Sequence, residues 1–281
     1  MKKIAVIYHI NCPDGFTAAW AAWKKFGNKA DYYPVEPRAL PNTNLSGRDI
    51  YILDNSISKE DMEMLEKKKS RVTVIDHHFS SEGDVKEAPN YVFDNEHSGA
   101  VLAWEYFHPK KPMPLYLKNV EDIDLWRFKV PHTRELGIVA NLTRYDFKEW
   151  GKLIASVEHP EKRKKLIEQG KLLIRYNTEL IRRLVENAYP VEFLGHKAYA
   201  VNSPILQSET GNVLSMKKAP VAILWYERNG RRRFSIRSNG TVDVAALAAK
   251  LGGGGHKSAA GFVTLTTDPF PWKVLKQNES R

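Results

Sequence analysis

At 281 residues the chain exceeds one average domain and suits two, because domains cluster at about 100 to 150 residues. A hydrophobic share of 42% with 27% charged residues excludes the low-hydrophobicity, high-charge regime of disorder. The lone Cys12 excludes an internal disulfide or a cysteine-based zinc cluster. The formal charge of +10 sets up a field that concentrates anions such as nucleotides, although lysine runs such as Lys67-Lys68-Lys69 equally suit a solvated surface. No run reaches the ~18 apolar residues that span a bilayer, and Met1-Lys2-Lys3 leads into a strand-like segment without a cleavage-site pattern. A soluble, reducing, cytoplasmic setting is expected.

Strand-like and helix-like segments alternate from the start, the signature of a parallel sheet wrapped by helices. Ile4-Ala5-Val6-Ile7-Tyr8 is a continuous apolar run, as in a strand buried on both faces. Thr17 to Phe26, rich in Ala and Trp, reads as a helix. Ile50 to Leu53 is the next strand, Lys59 to Lys69 a polar-faced helix, Val72 to Ile75 a strand, Tyr91 to Phe93 a shorter one, and Ser98 to Phe107 a helix. From about Trp150 to Asn187 a long charged segment places Leu166, Leu172, Leu173, Leu180, Ile181 and Leu184 at helical spacings and predicts a connector stopped by Pro190. A second α/β-like unit follows: strands at Val191 to Leu194 and Ala198 to Val201, a helix near Ser208 to Ser215, and a hairpin whose strands, Val221 to Glu227 and Arg232 to Arg237, flank Asn229-Gly230. Asp243 can cap a helix running to Lys250, four glycines end it, and Phe262 to Leu265 closes the unit. The expected fold class is α/β: a parallel-sheet N-terminal domain (1–150), a helical connector (151–188), a smaller α/β C-terminal domain (189–267) and a tail (268–281).

Three of the strand-like runs end in groups able to bind metal: Tyr8 leads into His9, Leu53 into Asp54, and Ile75 into Asp76-His77-His78. In open parallel sheets the carboxyl ends of the strands share one edge, where ligands sit, so these side chains can converge. Asp14-Gly15 and Asp124 can reach the same crevice. Imidazole nitrogen with carboxylate oxygen, without thiolates, suits Mn²⁺ or a similar ion. Two ions about 4 Å apart bridged by one carboxylate would activate water for in-line phosphoryl displacement. Singly, Asp14 or Asp54 reads as a turn or cap residue; their joint placement points to chemistry.

Asp76-His77-His78 after a buried strand, His9 with Asp14-Gly15 after the first strand, and Gly252-Gly253-Gly254-Gly255-His256 resemble the DHH phosphoesterase superfamily and its DHH-associated C-terminal domain, over roughly residues 1 to 265. The resemblance implies a two-manganese phosphoesterase, with Mg²⁺ or Co²⁺ as substitutes. Substrates among relatives include short oligonucleotides, cyclic dinucleotides, single-stranded nucleic acid and pyrophosphate. It implies His9 and Asp54 at one ion and Asp14, Asp54, His77 and Asp124 at the other, so that Asp54 bridges, while His78 faces the scissile phosphate. His78, Asp54 and Asp14 form the implied catalytic set. Asp124 is preferred over Asp122 because Asp124-Leu125-Trp126-Arg127-Phe128 sits where relatives carry an Asp-Thr-Gly type motif. The first motif departs from the pattern: many relatives have two aspartates there, whereas Asn11-Cys12-Pro13-Asp14 offers one. Either Asn11 or Cys12 substitutes, or one ion keeps an extra water.

The glycine run reads two ways, as a helix cap with a loop or as backbone that lets a phosphate or nucleotide approach closely. Beside the metal constellation the second is favoured, and Arg237, Ser238, Gly253, Gly254, Gly255 and His256 are expected to hold substrate. His97 and His108 read as surface or capping residues, Trp126 as core packing beside Asp124, and Arg231-Arg232-Arg233 as a solvated turn. The function that follows is metal-dependent hydrolysis of short oligonucleotides or small nucleotide phosphodiesters. The expected partner is such a substrate, with no membrane and a homodimer left open. The alternatives are a nucleotide phosphomonoesterase or pyrophosphatase, and a non-catalytic nucleotide- or nucleic-acid-binding relative.

Overall fold

The apolar N-terminal run forms an inner strand of a five-stranded parallel sheet in the computed structural model, which describes residues 2–275. Strand β1 (Ile4–His9) lies between β2 (Ala30–Val35) and β3 (Asp49–Leu53), with β4 (Arg71–Asp76) and β5 (Asn90–Phe93) beyond β3. Side chains alternate between two cores, as the strand period of two requires. Val6, Tyr8, Leu53 and Ile75 join Trp20, Trp104 and Trp150 on one face; Ala5, Ile7, Ile52 and Val74 join Met62 and Leu65 on the other. Strand β2 escaped the sequence reading because it is an edge strand of mixed burial broken by Pro34, which an edge tolerates since its outer N–H groups need no partner.

Four helices alternate with the strands: α1 (Pro13–Phe26), α2 (Lys59–Lys67), α3 (Glu82–Lys86) and α4 (Gly99–Phe107). A helical stretch follows, with α5 (Leu115–Asp124), α6 (Thr133–Ala140), α7 (Phe147–Glu158) and α8 (Pro160–Glu186). The long charged segment is thus two helices. His159 is extended (φ −88, ψ 117) because the ring of Pro160 disfavours a helical residue before it. Helix α7 sinks Trp150, Leu153, Ile154 and Val157 into the first core, and two units divide between residues 174 and 175, within α8.

The second unit is a seven-stranded mixed sheet, ordered β10-β11-β9-β8-β7-β6-β12. Its strands are β6 (Tyr189–Phe193), β7 (His196–Asn202), β8 (Val221–Arg228), β9 (Arg231–Ser238), β10 (Gly254–His256), β11 (Ala259–Leu265) and β12 (Trp272–Val274), with helices α9 (Gln207–Lys217) and α10 (Val244–Ala249). The β8–β9 hairpin turns through Asn229 (φ 52) and Gly230 (φ 70), left-handed at both positions as a two-residue turn of matching twist demands. Asp243 caps α10 by accepting from the Ala246 N–H at 3.1 Å. The stretch expected to be a tail departs from that expectation. Strand β12 pairs with β6, and Phe270 and Trp272 pack against Phe234, so aromatic burial draws the chain back onto the sheet. Arg232 locks this return, stacking 3.9 Å over Phe270 and donating to the carbonyls of Thr266 and Asp268; it is buried, not part of a solvated turn. The remainder of the expected tail, 276–281, lies outside the described residues. Among the described residues no helix is long and apolar enough to cross a membrane.

Candidate metal centre

The register pairs Tyr8 with Leu53 and Leu53 with Ile75. His9, Asp54 and Asp76 therefore come off the carboxyl edge of adjacent parallel strands. The strand order places β1 between β2 and β3, a switch point of the kind that opens a ligand crevice. Asp54 takes a left-handed backbone (φ 52), which a short polar side chain tolerates, and its N–H donates to the Ile75 carbonyl at 2.9 Å.

Asp14, in the first turn of α1, is held from the far side of the crevice. Its carboxylate oxygens accept from the N–H groups of Gly99 (2.7 Å) and Ala100 (3.0 Å), donors that the first turn of α4 leaves unpaired. Asp124, the last residue of α5, brings Oδ2 to 3.4 Å from His77 Nε2, and Asp14 Oδ2 lies 3.7 Å from the same nitrogen. Asp122 points elsewhere: it accepts from the N–H groups of Lys129 (2.8 Å) and Val130 (3.0 Å) and so builds the following loop.

Asp54 sits at the centre and is only 2% exposed. Its Oδ1 lies 3.2 Å from His77 Nε2 and its Oδ2 3.4 Å from His9 Nδ1. Neither approach is aligned as a hydrogen bond, and Asp54 Oδ1, Asp54 Oδ2 and His77 Nε2 are buried without a hydrogen-bond partner among the described residues. Each such group costs ~1–3 kcal/mol if left unsatisfied. Converging unpaired lone pairs of nitrogen and oxygen suit a divalent cation. The ligand atoms form overlapping groups, each within 4.8 Å: Asp14, His77 and Asp124; His9, Cys12 and Asp54; and Asp54 with Asp76, His77 and His78. The second group includes Cys12, one of the two substitutes that the first motif offered, because its extended N-cap position before α1 brings its sulfur to the carboxyl edge of β1.

The electrostatics report the same crowding. Burial, then the carboxylates of Asp54 and Asp124, push Asp14 well above the usual carboxylate range. Burial also lifts Asp124, to about 6. Burial would raise Asp54 too, but His77 and His9 hold it far below its ordinary value. Burial opposes charge on His77, yet Asp54, Asp14 and Asp124 carry it up to about 10. Burial likewise opposes charge on His78, but the Asp76 carboxylate, 2.7 Å from Nδ1, takes it to about 9. Asp76 is fully buried and also accepts from the His77 N–H at 2.8 Å. Its task in this geometry is to fix the His78 ring, a role that sequence reasoning did not single out.

Two glycines admit this packing. A Cβ at Gly15 would lie 2.6 Å from the His9 carbonyl and 3.0 Å from Asp54 Oδ2; at Gly99 it would lie 2.7 Å from Asp54 Cβ and 2.9 Å from Asp14 Oδ2. Other expectations change. Trp126 is 47% exposed, with a left-handed backbone (φ 54), and so is not core. His108 is buried, its Nε2 2.9 Å from the Ala21 carbonyl, whereas His97 pairs with Glu121 at 3.0 Å.

In the second unit, register places His256 opposite Ala259 and Ala259 opposite Arg237. Directly opposed residues share a sheet face, so His256 and Arg237 share one, with Arg237 donating to Ser208 Oγ on α9 at 2.8 Å. Ser238 takes the opposite face, and its hydroxyl donates to the Val242 carbonyl and accepts from the Gly240 N–H. The structure thus separates Ser238 from Arg237. The glycines also divide. A Cβ at Gly253 or Gly255 would collide with β11 backbone, at 2.1 Å from the Gly261 carbonyl and 2.6 Å from the Ala259 carbonyl respectively, while Gly254 faces open space.

Residues 191–268 match the DHHA1 domain. The chain is 28% identical over 282 residues to the uncharacterized protein R106 of Acanthamoeba polyphaga mimivirus, covering 91% of this chain and 66% of that protein. It therefore spans about two thirds of that relative's length. The DHH domain of a member of the s1p family of ribosomal proteins superposes with a TM-score of 0.58 at 13% identity, over 94% of this chain and 83% of that one. The pGpG-specific phosphodiesterase PggH of Vibrio cholerae superposes with a TM-score of 0.52 at 15% identity, over 95% of each chain. At these identities the two structural likenesses concern the fold.

Proposed function

We propose that this chain, whose residues 191–268 match the DHHA1 domain and whose fold is similar to that of a DHH domain, is a metal-dependent phosphodiesterase of the DHH superfamily that cleaves short oligonucleotides or small nucleotide phosphodiesters to nucleoside monophosphates. The observation that carries the reading is Asp54: a buried carboxylate without hydrogen-bond partners whose two oxygens face different ligand groups. Asp14, Asp54, His77 and Asp124 would hold one ion, and His9 with Asp54 the other. The oxygen-rich group suits Mn²⁺. When bound, such ions supply Lewis-acid polarisation of the phosphate and a water of lowered pKa.

The side chains do the rest. The N–H groups of Gly99 and Ala100 keep Asp14 turned into the crevice. Asp76 holds His78 by Nδ1 and favours its protonated form; a ring so charged would neutralise a phosphate oxygen by a charge-assisted hydrogen bond. Arg237 and His256, on one face of the second sheet, would bind a non-scissile phosphate or base, with Gly254 leaving room for close approach.

The test is incubation with Mn²⁺ and a panel of di- to decanucleotides, pGpG, cyclic dinucleotides, nucleotide bisphosphates and pyrophosphate, with products resolved by chromatography. Nucleoside monophosphates released from the short diesters are the expected result. Phosphate released only from the bisphosphates or pyrophosphate would make the protein a phosphomonoesterase or pyrophosphatase, and tight binding of the panel without turnover would make it a non-catalytic binder.

A further inference from the structure

We infer that Cys12 is a metal ligand, and that His9, Cys12 and Asp54 form a thiolate-bearing site chemically distinct from the oxygen-rich group of Asp14, His77 and Asp124. The inference deepens the two-ion reading above and rests on it. A lone cysteine would not carry it, since a half-buried thiol is ordinarily a small hydrophobe. Three observations give this thiol a direction. Its sulfur lies in one group, within 4.8 Å, with a ring nitrogen of His9 and a carboxylate oxygen of Asp54. The Asp54 side chain is buried, at 2% exposure, and neither carboxylate oxygen has a hydrogen-bond partner among the described residues. Cys12 also occupies the N-cap of α1, where a side chain ordinarily bonds the first turn, yet it makes no such bond.

The donor types set the chemistry. Thiolate with imidazole and carboxylate suits a borderline-soft ion such as Zn²⁺ or Co²⁺, whereas carboxylates with one imidazole suit Mn²⁺ or Mg²⁺. Three protein ligands with a position left for water is also the ligand count of hydrolytic zinc sites. The two positions should therefore prefer different ions, and the mixed-metal protein is the expected state.

Co²⁺ titration of the metal-free full chain tests this directly, because Cys12 is the sole cysteine and any sulfur-to-cobalt charge-transfer band in the near ultraviolet must come from it. The band should appear with one equivalent of Co²⁺ and be absent in Cys12→Ser and Cys12→Ala, with circular dichroism unchanged. Cys12→Ser should also lower Zn²⁺ affinity by at least about tenfold, and Cys12→Asp should shift that position toward Mn²⁺. Co²⁺ binding and dinucleotide hydrolysis without the band would overturn the cysteine assignment alone. The band without hydrolysis of any panel member would uphold it and overturn the phosphodiesterase reading. Failure to bind Co²⁺ at all would overturn both.

Discussion

In the N-terminal unit Asp14, Asp54 and His77 are buried at the carboxyl edge of a parallel sheet, and with Asp124 beside them the three carboxylates each come within 3.7 Å of His77 Nε2. In the C-terminal unit Arg237 and His256 stand on the face of a mostly antiparallel sheet, with His256 exposed and Arg237 half-buried against α9. Burial couples groups, because each charge is felt by its neighbours in a medium that screens poorly. The first unit should therefore fail as a whole when one member is altered, while the second should lose contacts one at a time.

The largest effect is expected at Asp54. Asp54→Asn should reduce hydrolysis of a dinucleotide by well over about tenfold, more than ~1.4 kcal/mol in the barrier, while circular dichroism and thermal unfolding stay close to wild type. A variant that kept a tenth of the turnover would remove Asp54 from the bridging position. Arg237→Ala should act on binding instead. Loss of a charge-assisted contact of ~1.5 to 3 kcal/mol should raise KM for a dinucleotide by roughly one to two orders of magnitude, with bis(p-nitrophenyl) phosphate hydrolysed nearly as before. An equal loss on the two substrates would erase the proposed division between the units.

Two smaller effects sharpen the contrast within the first unit. Gly99→Ala puts a better helix former at the start of α4 but sets a methyl 2.7 Å from Asp54 Cβ, an overpacking that costs about 1–3 kcal/mol. Urea unfolding should show the loss, together with weaker Mn²⁺ binding; unchanged metal affinity would mean that the crevice yields freely. Away from the crevice, Arg48 is buried and pairs with Asp31 at 2.6 Å. Partial burial would raise Asp31, but the Lys2 amide and Arg48 hold it below its usual value. Its stabilisation is then complete above the unfolded carboxylate pKa of about 3.9 and is lost as pH falls through the lower folded value. Asp31→Asn should cost about 1–2 kcal/mol near neutrality and flatten the acid limb of stability against pH, without touching catalysis. A full-sized acid limb in that variant would assign the limb to other carboxylates.

Much of this was legible in the chain because it is written locally. Apolar runs of period two or none mark β1, β3 and β4, and the identity of the residue just after each run already names His9, Asp54 and the Asp76-His77-His78 triplet. What escaped has physical reasons. Edge strand β2 lacks a clean hydrophobic pattern, and β12 is three residues long and owes its place to aromatic packing with distant Phe234. Trp126 looked like core by composition, but the positive φ that it shares with Phe128 turns on how Asp122 gathers the backbone N–H groups of that loop.

The sequence by itself determined the element types and the chemistry offered at each strand end, since periodicity and residue identity survive without any knowledge of neighbours. Only the tertiary structure decided which offers meet. It turned Cys12 toward His9 and Asp54, set Asp76 to hold His78, brought the first turn of α4 against Asp14, and sent Ser238 to the face opposite Arg237. Those outcomes depend on strand order, register and sheet face, and a shift of one residue in register would exchange the two faces.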